Sequence, residues 1–233
     1  MKRRWKWALV YCSVVCISLF VTVIGSRVVT VMSEDNFTGH KHCIVIDPGH
    51  GGEDGGAVSI SNLPESGYNL EIALRLQELL HLFGYQTRMT RMADTSIYTK
   101  GETIAQKKTS DLKERVRIVN ETEGAILLSI HQNHFSSPQF AGAQVFYAQT
   151  DGSEDLANQI QRCLISSLNP ESKRQIKQAE NVYLMKHINC PGVLIECGFL
   201  SNPQEERKLR DSTYQKKLTS VIAVAVMEFL SNT

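Results

Sequence analysis

Three ionisable side chains each stand at the end of a short apolar run. His50 follows Cys43-Ile-Val-Ile-Asp47 across Pro48 and Gly49, His131 follows Ala125-Ile-Leu-Leu-Ser-Ile130, and Glu196 follows Gly192-Val-Leu-Ile195. Such a group at the end of a buried strand is costly unless it is paired or bound to a metal. Convergence of the three on one sheet edge is the simplest common explanation. Two neutral imidazoles and one carboxylate, with a fourth position left open, form the ligand set of many catalytic zinc sites. The acid is expected near His50. Glu65 is preferred, because the glycine-rich loop 49–56 can fold it back toward His50, with Glu53, Asp54 and Glu71 as local competitors. Plainer readings stand beside these: a satisfied buried imidazole for either His, and a helix N-terminal charge for Glu65. His131 and His134, three apart, form an alternative local pair, but they leave a strand at different angles. His81 and His187 read as surface or packing residues, and His40 and His42 as part of a solvated tether.

The elements that must position these groups follow from periodicity. The run 43–47 ends in Pro-Gly, which suits a strand buried on both faces. Leu70, Ile72, Ala73, Leu76, Leu79, Leu80 and Phe83 recur at helical spacing, so a helix is expected over 69–83 with Gly84 as its stop. A strand is expected over 85–90, a polar loop with at most a short helix over 91–110, and a helix over 111–121. Strands are then expected over 125–130, 143–148, 182–185 and 192–197. A helix over 153–168 capped by Ser153, and one or two closing helices over 203–230, complete the pattern. Strands alternate with helices, which predicts one α/β domain with a mostly parallel central sheet flanked by helices.

The composition bounds what surrounds that domain. The chain has 233 residues, 42% hydrophobic and 21% charged, and a formal net charge of +1, without a Lys/Arg cluster in its body. No nucleic-acid partner is expected. Lys2, Arg3, Arg4, Lys6 and Arg27 precede the first acid, Glu34, and residues 8–25 are uncharged and mostly apolar. Residues 1–32 are therefore expected to be a basic cytoplasmic stub and a membrane signal-anchor, with a cleaved signal peptide ending at Gly25 as the alternative. Residues 33–41 read as a linker and 42–233 as the catalytic domain, placed outside the cytoplasm by the positive-inside rule. Cys43, Cys163, Cys190 and Cys197 show no CxxC spacing and read as free buried thiols, with a disulfide among them as the alternative.

The ordered motifs resemble the zinc-dependent type-3 N-acetylmuramoyl-L-alanine amidases. The resemblance runs through Ile46-Asp-Pro-Gly-His-Gly-Gly52 with Asp54 and Gly56-Ala57, and then Glu65 with Asn69-Leu70 and Ile72-Ala73. It continues through Asp111-Leu112 with Arg115 and Asn120, Ser129-Ile-His-Gln-Asn133, and Leu194-Ile-Glu-Cys-Gly-Phe-Leu-Ser-Asn-Pro203. It implies that His50, Glu65 and His131 hold Zn2+ and that Glu196 is the catalytic acid/base, taking a proton from water and returning it to the leaving amine. The implied reaction is cleavage of the amide between the lactyl group of N-acetylmuramic acid and L-alanine in peptidoglycan. Ser66 stands where the family often has Lys, Gln132 where a small residue is usual, and His134 is extra, which bears on substrate contacts more than on the metal. The absence of a wall-binding repeat, the 90–111 insertion, and Gln144-Val-Phe-Tyr147 look most like the spore-cortex members. They imply cortex maturation between the forespore membranes, a downstream muramic acid deacetylase that forms muramic-δ-lactam, and a regulatory lipoprotein partner. A vegetative wall amidase, a non-catalytic peptidoglycan-binding domain and another zinc hydrolase such as a carboxypeptidase are the alternatives.

Overall fold

A computed structural model describes residues 41–232. The membrane segment expected at 1–32, and all of the 33–41 linker but Lys41, lie outside the described residues. Among the described residues no helix is long and apolar enough to cross a membrane. Six strands, β1 (Cys43–Pro48), β2 (Gln86–Met89), β3 (Ala125–Asn133), β4 (Gln144–Tyr147), β5 (Lys177–Gln178) and β6 (Gly192–Phe199), form one sheet in the order β2-β1-β3-β6-β4-β5. β2, β1, β3 and β6 run parallel, while β4 lies antiparallel to β6 and carries β5 alongside it. The expected α/β class with a mostly parallel sheet is therefore present.

Alternation along the strands sorts the core into two layers. Ile44, Ile46, Ile126, Leu128, Ile130, Val193 and Ile195 pack on one face. They meet α1 (Glu65–Leu82), α3 (Ser153–Leu168), α5 (Pro203–Arg210) and α6 (Ser212–Ser231), whose Leu76, Ile160, Leu209 and Ile222 are buried there. Val45, Leu127 and Leu194 face the other way, against Val119 of α2 (Ile104–Asn120) and Leu184 and Met185 of α4 (Tyr183–His187). Removing one fully buried Leu from such a core costs about 2–5 kcal/mol. Asp47, Ser129, His131 and Glu196 continue the second-face positions toward the carboxyl ends of their strands.

Several boundaries differ from the expectation. The helix carrying Glu65 begins at that residue, with Pro64 before it, and not at 69. The 91–110 loop is shortened because α2 starts at Ile104, where Thr103 and Gln106 form a capping box. Residues 183–187 are a helical turn where a strand was expected, since a four-residue apolar run fits either period and Leu184 and Met185 bury as adjacent helical positions. Ser153 does not cap α3. Gly152 takes that position at φ 79°, and the Ser153 hydroxyl accepts instead from the Gly192 amide at 2.9 Å. The four cysteines outside residues 1–40 are free thiols.

Candidate metal centre and active site

The loop leaving β1 is fixed through its backbone. Asp47 accepts from Thr90 Oγ1 at 2.6 Å and Ser129 Oγ at 2.7 Å, and pairs with Arg115. Burial pushes the Asp47 carboxyl up, but the guanidinium and the two hydroxyls outweigh it and hold the group below its ordinary value. Arg115 also donates to the carbonyls of Pro48 at 2.9 Å and His50 at 2.7 Å. Arg91 donates to the carbonyls of Pro48, Gly49 and Ser66, each at 2.9 Å. Two buried guanidiniums thus hold the turn that aims His50, whose φ of 61° is uncommon for a residue with a side chain. Two glycines leave room for the ligands themselves. A Cβ at Gly49 would stand 2.2 Å from the His131 ring, and one at Gly56 would stand 2.6 Å from Glu65 Oε2 and 2.7 Å from the His50 ring.

His50, Glu65 and His131 come together as a group whose ligand atoms all lie within 4.8 Å of one another. Asp54 Oδ2 lies 3.0 Å from His50 Nδ1, so the opposite ring nitrogen, Nε2, faces Glu65 Oε2 at 3.3 Å. His131 Nδ1 lies 3.0 Å from Glu65 Oε1. The carboxylate is anchored by the amides of Ala57 at 3.0 Å and Gln132 at 3.1 Å, and by Asn69 Nδ2 at 3.1 Å. Burial pushes the Glu65 carboxyl up, but the His131 and His50 contacts prevail and hold it far below the usual range. Burial pulls His50 down, yet its bonds to Glu65 and Asp54 leave it raised.

Glu196 stands beside His131 in register on the neighbouring strand. Its Oε2 is buried without a hydrogen-bond partner among the described residues, and burial pushes the carboxyl up to about 7. Two imidazoles and a carboxylate, oriented by a second carboxylate behind one imidazole, fit a zinc ion, and the orphaned Glu196 oxygen beside them fits a proton carrier for water.

All four expected site residues therefore share the carboxyl edge of the sheet. The competitors for the third ligand do not join the group. Asp54 is behind His50, Glu53 pairs with Lys107 at 2.8 Å, and Glu71 accepts from Gln215 Nε2 at 2.9 Å. His134 is exposed and outside the group, and His187 stacks on Tyr183 at 4.0 Å. Arg91 was not singled out, although an arginine just past the end of β2 matches the strand-end rule that located the others.

Residues 44–228 match the family described as N-acetylmuramoyl-L-alanine amidase. The germination-specific N-acetylmuramoyl-L-alanine amidase of Bacillus subtilis (strain 168) is 38% identical over 190 residues, covering 81% of this chain and 79% of the relative. Among solved structures, the CwlD amidase from Clostridioides difficile, in complex with the GerS lipoprotein, superposes with a TM-score of 0.79 at 37% identity. That match covers 82% of this chain and 100% of that one. An N-acetylmuramoyl-L-alanine amidase from Clostridium difficile 630 gives 0.74 at 32% identity, over 84% and 100%.

Proposed function

The chain belongs to the N-acetylmuramoyl-L-alanine amidase family, and from that membership we propose that it is a zinc enzyme of the spore cortex whose metal ligands are His50, Glu65 and His131. Its activity is hydrolysis of the amide between the lactyl group of N-acetylmuramic acid and the L-alanine of the stem peptide. When bound, zinc supplies Lewis acidity toward water and the scissile carbonyl. Glu196 receives a proton from the attacking water on Oε2 and delivers it to the departing amine of L-alanine. The observation that carries this role is the unpartnered, buried Oε2 beside the donor group. Asp54 keeps the His50 ring oriented, and the Gln132 and Ala57 amides anchor the Glu65 carboxylate.

The cortex assignment is supported by the likeness to the Bacillus subtilis relative called germination-specific. Stripping stem peptides from muramic acid there would supply a separate deacetylase with the substrate for muramic-δ-lactam. The clostridial structure, solved with a lipoprotein bound, supports a regulatory lipoprotein partner here too. Action on peptidoglycan supports a position outside the cytoplasm for the domain, residues 42–233, with residues 1–32 as a membrane anchor or a cleaved signal peptide.

The test is mass spectrometry of cortex and vegetative peptidoglycan after incubation with the zinc-supplied full-length chain. The wild type is expected to release intact stem peptides, and Glu196→Gln to keep its zinc while losing about 10²-fold or more in turnover. Near-wild-type release by that variant with zinc still bound would remove Glu196 from the mechanism. Release from vegetative wall alone would remove the cortex assignment.

A further inference from the structure

Past Glu196, β6 carries one residue more than its neighbour: His131 faces Glu196, and Asn133 faces Phe199. The bulge keeps Phe199 on the face that Asn133 shares with His131, so the catalytic wall extends beyond Glu196 by the two-residue rise of β3 from His131 to Asn133, about 7 Å. On the other side Gln144 of β4 lies directly opposite Glu196. Gln144 is buried with both ends of its amide engaged: Nε2 donates to the Gln175 carbonyl at 2.8 Å, and Oε1 accepts from Arg174 Nη1 at 2.9 Å. Arg174 Nε donates to the Ala141 carbonyl at 2.8 Å, and its guanidinium carbon lies 4.6 Å from the centre of the Phe199 ring.

Arg174 is thus half-buried and held in one orientation by uncharged groups. Among the described residues it has no carboxylate at ion-pair distance and no acceptor on Nη2. The buried Arg115 differs, since it pairs with Asp47 and Asp111. Glu205 acts on Arg174 only through space, with its own oxygens turned to the Gly142 amide and Lys208. A partly desolvated, preoriented guanidinium without an anion is built to receive one, and its planar fork suits a carboxylate.

We propose that Arg174 is a substrate-binding residue that receives a free carboxylate of the stem peptide, within one or two residues of the scissile amide. An extended peptide spans about 3.5 Å per residue, which matches the distance from Glu196 along this wall. The proposal rests on the amide-cleaving reading above and adds the part of the peptide that the enzyme selects.

The experiment gives the zinc-supplied full-length chain two muropeptide sets, one with free stem carboxylates and one with those groups converted to carboxamides. The wild type is expected to prefer the free form by about tenfold, mainly through KM. Arg174→Gln should bring that ratio near one, and Arg174→Lys should restore part of it. A wild type indifferent to the conversion, or an Arg174→Gln variant that weakens on both sets with the ratio intact, overturns the subsite. Cleavage of neither set by zinc-loaded wild type overturns the amide reading and the subsite with it.

Discussion

Burial pushes the Glu196 carboxyl up to about 7, His131 and His50 oppose that rise, and Glu65 adds to it. A cation held by the neighbouring triad favours the charged carboxylate and moves the group down again. A base works when deprotonated, so kcat/KM at saturating zinc should climb with pH along a limb lying below about 7. Measured on the residual activity of Glu196→Gln, that limb should be gone; an unchanged limb would assign it to another group. At this scale the sequence was informative where a side chain does its work from a strand end, as His50, His131 and Glu196 do. The same rule covers Arg91, just past the end of β2, but the sequence was silent on Arg174, whose partners are a backbone carbonyl and an amide brought near only by folding. Nothing in residue spacing encodes those meetings.

The buried contact of helix α2 with the active-site turn is Arg115, which joins Asp47, Asp111 and the carbonyls of Pro48 and His50, while Lys107 and Lys108 pair with Glu53 and Asp54 nearer the surface. Replacing it by Met leaves the Asp47 charge buried without its cation. The expected loss is about 3–5 kcal/mol at neutral pH, read by denaturant unfolding. The native Asp47 is held below its ordinary value, so its pairing stabilises above the unfolded pKa and fades as pH falls through the folded one. In Arg115→Met the carboxyl protonates more readily, and the gap from wild type should narrow as pH is lowered. A gap that stays constant from pH 7 to 4 would mean that the ion pair is not its source. The longer helices and buried strands were legible because their apolar periods persist over several turns or pleats. The start of α2 was legible too, in Thr103-Ile-Ala-Gln106, but went unread beside the polar run before it. The 183–187 turn was not, since four residues carry too little of either period.

Across the whole molecule, the proposed metal ligands come from the β1 loop, the first turn of α1 and the end of β3, so one ion would fasten three distant stretches of chain. Zinc at about 100 times its dissociation constant should stabilise by about 2.7 kcal/mol, or roughly 5–11 °C in melting temperature for a domain of this size. Calorimetry with zinc and with a chelator should show that shift, and His131→Ala should abolish it; a wild-type melt indifferent to zinc would dismiss the ligand set. The order of the strands has a further consequence for biogenesis. β6 is last in the chain but sits between β3 and β4, in the middle of the sheet. A polypeptide emerging amino end first therefore holds both halves of the sheet apart until residues 192–199 arrive, and those residues bring Glu196. Pairing so remote in sequence is slow to form. Until residues 192–199 have left the ribosome, the nascent chain lacks both the strand that joins the two halves of the sheet and the carboxylate that stands beside the donor group.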